Sequence, residues 1–136
     1  MEAKIWGPHA WIFLHSITMA YPENPTEQDK SNFRTFFSSI QDILPCSICK
    51  THYKQHLTEN PIQLSNRKEL VNWLINIHNS VNKLNNKKQY SYNEVINYYD
   101  QLYNNSSLKY IIIISVIVIS TYLLIKKYIK FIKKLL

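Results

Sequence analysis

The only two cysteines in this 136-residue chain lie three positions apart, in the segment Pro45-Cys46-Ser47-Ile48-Cys49. A CxxC pair at the start of a helix puts both sulfurs on one face, close enough to bond. The positive end of the helix dipole then favours the thiolate of the first cysteine. A bridge closing so short a loop stabilises a fold by only about 2 kcal/mol. Such a pair suits opening and closing better than cross-linking.

Three chemistries compete for this dithiol. His52 and His56 follow it, giving C-x2-C-x2-H-x3-H, which invites a zinc reading. On one continuous helix, however, Cys46 and His56 would lie roughly 15 Å apart along the axis, whereas ligands of one Zn²⁺ lie within about 4 Å of each other. No metal is therefore expected. A thioredoxin-like carrier without a cofactor would need strands and a βαβ pattern around the motif, and none is legible. The third chemistry, a dithiol working beside a prosthetic group, needs a binding site elsewhere in the chain.

Two segments could supply one. Gly7, Trp11 and His15 stand at i, i+4 and i+8, one stripe of a helix. Such a stripe is more often core than ligand site. Further on, His78-Asn79-Ser80-Val81-Asn82 is followed by Lys83, Lys87 and Lys88. This could be a plain solvated helix end, or groups for a planar ring with an attached diphosphate. Gly7 is the single glycine. A Rossmann fingerprint or a P-loop needs several, so any nucleotide here is held by side chains on helices.

The same glycine scarcity argues against strand-rich folds and for helices joined by short polar loops. Five helices are expected in the first hundred residues. The first begins near Pro8 and ends before Tyr21-Pro22. Thr26 with Asp29 opens the second, whose Phe33, Phe36, Phe37, Ile40 and Leu44 keep helical spacing. The third runs from Pro45 to about Leu57. Asn66 with Glu69 opens the fourth, carrying Leu70, Trp73, Leu74, Ile77, Val81 and Leu84. Ser91 with Glu94 is a capping box for the fifth, ending around Tyr103.

From Tyr110 to Ile125 sixteen residues pass without a charge. As a helix they span about 24 Å against a hydrocarbon core of about 30 Å, a gap that snorkelling Lys109 and Lys126 can close. The division expected is a domain over 1–103, a linker over 104–109, a transmembrane anchor over 110–126 and a basic tail over 127–136. The whole-chain net charge of +7 belongs mostly to that tail: residues 1–107 hold ten Lys/Arg against nine Asp/Glu. A nucleic-acid surface should lie on the folded domain, so none is expected. Met1 to Lys4 leads directly into an amphipathic stretch, so no secretory signal is read there. The tail lysines favour a cytoplasmic C-terminus. A span so near the end of the chain favours instead a domain left in the cytosol, and that orientation is the one adopted.

Taken together, WGPHAWIFLHSITMAYP (6–22), LPCSIC (44–49) and WLINIHNSVNKLNNKK (73–88) closely resemble the Erv/ALR family of FAD-linked sulfhydryl oxidases, in family order and over residues 5–103. The chain looks like the compact members found in large DNA viruses, which would place it in a host membrane or a virion. The resemblance implies an all-α fold: a four-helix bundle around FAD plus a short fifth helix, here followed by a transmembrane helix. It implies a thiol oxidase in which Cys46 and Cys49 pass electrons from a partner's dithiol to FAD and then to O2, giving H2O2. That partner would be a dithiol protein such as a thioredoxin-like or small CxxC carrier, and a homodimer is implied as well. By matching position, Trp11, His15 and Tyr21 would line the flavin and adenine pocket, with Gly7 allowing close approach. His78, Asn79, Val81 and Asn82 would hold the adenine-ribose side, Lys87 the phosphate, and Tyr99 would replace a family aromatic near the adenine. Two departures stand out. The family's LGK segment appears as Asn85-Asn86-Lys87, and the additional cysteine pairs of longer members are missing, so electrons would have to come directly from the partner.

Overall fold

The computed structural model describes the backbone of residues 1–104 and 106–135, and the side chains of 1–104 and 110–133. The regular structure of these residues is all helical: α1 (Ala3–Met19), α2 (Glu27–Ile43), α3 (Ser47–Glu59), α4 (Arg67–Leu84), α5 (Tyr92–Tyr103) and α6 (Ser106–Leu135). It divides into two compact units, Met1–Ile96 and Asn97–Leu136.

In the first unit α1 packs on α4 and α2 on α3. Tyr21, Phe37, Leu70, Leu74 and Ile77 are sealed from solvent at its centre. Burying an aliphatic or aromatic side chain of this size stabilises by about 1.5–3 kcal/mol. Polar tips on this core find backbone partners. The Tyr53 hydroxyl donates to the Phe37 carbonyl (3.0 Å) and the Trp73 indole to that of Asn60 (2.8 Å). At the end of the bundle away from the cysteines, Tyr21 donates to the Leu64 carbonyl (2.9 Å), and Arg67 donates to the Tyr21 carbonyl (2.6 Å) and pairs with Glu23 (2.9 Å). These contacts tie the end of α1 to the start of α4 and set the register of the two helices.

The expected caps form where a side chain could reach its own backbone. Thr26 and Asp29 make a reciprocal capping box, Asn66 accepts the Glu69 N–H (2.9 Å), and Ser91 pairs with Glu94. Two helix starts differ from expectation. α1 begins at Ala3, so Pro8 lies inside the helix rather than in its first turn. The hydrogen bond Pro8 cannot make would fall on the Lys4 carbonyl, on a face open to water, where the loss is tolerated. α3 begins at Ser47 rather than Pro45, because Cys46 itself has extended backbone, φ −137° and ψ 120°. Cys46 is the N-cap.

In the second unit α6 is one continuous helix of 30 residues. It runs through Ser106 to Lys109 of the expected linker and through the basic tail as far as Leu135, Leu136 lying outside the described residues. Asn105 of that linker and the Lys109 and Lys134 side chains lie outside the described residues. Its stretch Tyr110–Lys133 is long and apolar enough to cross a membrane, with a mean hydropathy of 1.9 in its most apolar window.

Candidate redox site

The Cys46–Cys49 disulfide closes at the first turn of α3, with the two α-carbons 5.2 Å apart. Cys46 has extended backbone, and its sulfur accepts the Cys49 N–H (3.3 Å), the place usually taken by a serine or aspartate oxygen. A thiolate formed on Cys46 therefore inherits a hydrogen bond and the positive end of a helix. Both stabilise it. The Lys50 ammonium donates to the Asp42 carbonyl (2.6 Å), bracing the turn that presents the bond, and both cysteines are half-buried.

Across the bundle, α1 and α4 bring Trp11, His15 and His78 together. His15 Nε2 and His78 Nδ1 are 3.1 Å apart, and the Trp11 and His78 rings stack with centroids 3.8 Å apart and planes 8° off parallel. Burial, and next the charge of His78, lowers the His15 pKa to about 3; burial, and next the nearby Lys87, lowers that of His78 to about 4. Both imidazoles are neutral at pH 7, one donating to the other. The stack makes one flat aromatic surface of Trp11 and His78, which would suit the face of a planar cofactor ring.

The other sequence-selected residues divide by role. Asn82 is buried at the foot of α4, and its carbonyl accepts the Lys87 N–H (2.8 Å) while that of Lys83 accepts the Asn86 N–H (3.2 Å). With Asn86 at φ 52°, this is a Schellman turn. Asparagine thus occupies the left-handed position where the family segment has glycine, and the departure keeps the backbone path that aims Lys87 toward His78. Asn79 pairs both ends of its amide with the Tyr90 backbone (2.8 and 2.9 Å), holding the loop after α4. Val81 is half-buried in the same turn, its carbonyl accepting the Asn85 N–H. Tyr21 does not join the wall: it is core, at the far end of α1. Tyr99 belongs to the second unit, buried and packed edge-on to Tyr98.

Trp6, given no role from the sequence, and His56, given only the zinc reading, carry buried polar atoms with no hydrogen-bond partner among the described residues. They are the Trp6 indole nitrogen and both ring nitrogens of His56. His56 borders a hollow of about 570 Å³ between α3 and α4, with His52, Gln55, Ser80, Lys83 and Leu84. The i, i+4 spacing of His52 and His56 is the signal of this pair that the sequence carries. Among the described residues no group of three or more His, Cys, Asp or Glu could hold a metal ion.

These features suit a large planar cofactor with ring heteroatoms and a diphosphate. Unpartnered buried nitrogens can meet ring heteroatoms, the Trp11–His78 surface can take a flat face, and Lys87 can meet phosphate. A β-carbon built on Gly7 would meet nothing within 4 Å, so there is open space beside α1. Gly7→Ala is therefore expected to leave the apo fold as stable or more so, by up to about 1 kcal/mol from helix propensity. It should also weaken flavin retention on purification. Flavin-to-protein absorbance with thermal melts of the apoprotein checks both, and undiminished flavin content would remove Gly7 from the site.

The profile of the Erv1/Alr family matches residues 8–101. The chain is 43% identical over 99 residues to the probable FAD-linked sulfhydryl oxidase of Acanthamoeba polyphaga mimivirus, covering 71% of this chain and 69% of that one. It is 34% identical over 96 residues to the FAD-linked sulfhydryl oxidase of an African swine fever virus isolate, covering 71% and 81%. The crystal structure of the FAD-binding domain of Erv1 from Saccharomyces cerevisiae superposes with a TM-score of 0.65 at 33% identity, covering 67% of this chain and 87% of that one.

Proposed function

Because this chain belongs to the Erv1/Alr family, we propose that it is a FAD-linked sulfhydryl oxidase that forms disulfides in partner proteins from a membrane-anchored, helical domain. The observation carrying the reading is the Cys46–Cys49 bond at the helix start, its first sulfur serving as the cap.

A substrate thiolate attacks Cys46, and the bond to Cys49 breaks, leaving Cys49 as a thiolate near the positive end of α3. The second substrate thiol then attacks the substrate sulfur of the mixed disulfide, and Cys46 departs as the capped thiolate. A stabilised leaving group speeds that exchange. Substrate has lost two electrons and gained one S–S bond; the pair Cys46 and Cys49 is now reduced. FAD, when bound, supplies the two-electron acceptor that reoxidises the pair and is itself reoxidised by oxygen, with hydrogen peroxide as product. Trp11, His15 and His78 offer it a rigid uncharged surface, and Lys87 and Asn82 stand where the diphosphate and ribose would be held. His56 and Trp6 are candidates for its ring heteroatoms.

α6 is the anchor in this reading. Thirty helical residues extend about 45 Å, more than the hydrocarbon core of about 30 Å, so the helix can cross and carry its basic end into the headgroups. Lys126, Lys130 and Lys133 share one face of that end, suited to an anionic surface. We place the domain on the cytosolic side, as a single span allows for a domain already folded there. A homodimer would have to form by helix packing alone, since both cysteines are used within the chain. Carbonate-washed membranes from cells making the protein are expected to consume oxygen when dithiothreitol is added. Activity confined to the soluble fraction would refute the anchor, and activity in neither fraction would refute the oxidase.

A further inference from the structure

Two large aliphatic side chains beside the disulfide have no role in the bundle. Ile43, at the end of α2, is 70% exposed, and Ile48, between the two cysteines, is 66% exposed. The core face of α2 is Phe33, Phe37 and Ile40, and that of α3 is Tyr53 and Leu57. Ile48 stands five residues before Tyr53 and nine before Leu57, about 140° and 180° of azimuth away from them. Pro45, also exposed, completes an apolar run around Cys46. The nearest charged side chains in sequence are Asp42 and Lys50, and the Lys50 ammonium is held on the Asp42 carbonyl.

Scattered exposed aliphatics need no explanation. These differ by position. Exchange requires the incoming sulfur to approach in line with the S–S bond, so the chain segment carrying it must pass over the start of α3. Resting on the oxidase reading above, we propose that Ile43, Pro45 and Ile48 form a docking collar that selects partner dithiols set in apolar segments. The Met1 ammonium donates to the Pro45 carbonyl (3.2 Å) at the edge of this surface, so charge must be held equal between the substrates compared. Covering an isoleucine in the exchange complex favours an apolar-flanked dithiol by about tenfold or more.

The test compares two synthetic peptides of equal charge on the full-length flavin-loaded protein. Both carry the same CxxC, flanked in one by Leu and Phe and in the other by Ser and Gln. Each kcat/KM is divided by that for dithiothreitol in the same sample. Dithiothreitol is too small to cover the collar, so it reports exchange chemistry alone. The wild type is expected to favour the apolar peptide at least about tenfold, mainly through KM. Ile43→Asn with Ile48→Asn should erase the preference, and Ile48→Leu should keep it. Equal ratios in the wild type, or a preference surviving the double substitution, would overturn the collar. So would a collar substitution that changed only the sedimentation of the protein, since it would assign the surface to a second copy of the chain. Failure of the wild type to oxidise dithiothreitol would instead overturn the oxidase reading, and the collar with it.

Discussion

Cys49→Ser is expected to lower dithiothreitol-driven oxygen uptake by about 10³-fold or more while the protein stays folded and yellow. A serine oxygen cannot form or release a bond to Cys46, so no electron pair passes through the site. The structural cost is small, because the backbone N–H of residue 49, not its side chain, fills the cap on Cys46. Losing so short a bridge costs no more than about 2 kcal/mol. The remaining Cys46 keeps its helix-end environment and stays reactive. It should form mixed disulfides by attacking a partner or glutathione disulfide and releasing one thiolate, visible as a mass increase that reductant removes. Cys46→Ser should be equally inactive, since serine replaces the sulfur as a cap but cannot be attacked. Oxygen-electrode rates normalised to flavin absorbance distinguish lost chemistry from lost cofactor. Turnover of Cys49→Ser within tenfold of the wild type would sink the mechanism.

Much of this site was legible because its signals are local. The capping pairs Thr26–Asp29 and Ser91–Glu94 each reach across three residues, and the fold honours both. The stripe Gly7, Trp11, His15 follows from helical periodicity, and the resemblance supplied its partner on α4. What stayed hidden depends on distant contacts or on unusual chemistry. Tyr21 could be matched to a pocket by its place in a motif. Its hydroxyl is nevertheless spent on Leu64, 43 residues away. Asn79 looked like a ligand, but a loop 11 residues on takes its amide. Capping rules written for oxygen did not nominate Cys46, and a proline placed α1's start five residues late. From the sequence, Asn86 is only a departure from the family's glycine. With a left-handed φ, it preserves the turn.

Acid should destabilise the domain well before its carboxylates are protonated. His15 is 1% exposed, and burial is the main reason its pKa falls from 6.5 to about 3; His78, beside it, falls to about 4. In the unfolded chain both would titrate near 6.5, so between pH 6.5 and about 4 the unfolded state binds protons that the folded state refuses. Stability is therefore full above pH 6.5 and declines as pH falls through this window. His15 alone accounts for about 3 kcal/mol by pH 4, more than a hundredfold in the folding equilibrium. Burial lowers the pKa of His56 as well, which adds to the loss with the same sign. The capping carboxylates Asp29 and Glu94 have lowered pKa values, the latter about 2, so their contribution is lost only at lower pH. Denaturant unfolding of the apoprotein in detergent, followed by tryptophan fluorescence, should show the midpoint dropping steadily from pH 7 to 4.5. His15→Gln should lower stability at pH 7 yet flatten that slope, because a group that cannot titrate adds no proton linkage. A wild-type midpoint constant over the same range would mean that the two imidazoles reach solvent, and the rigid uncharged wall assigned to α1 and α4 would have to be abandoned.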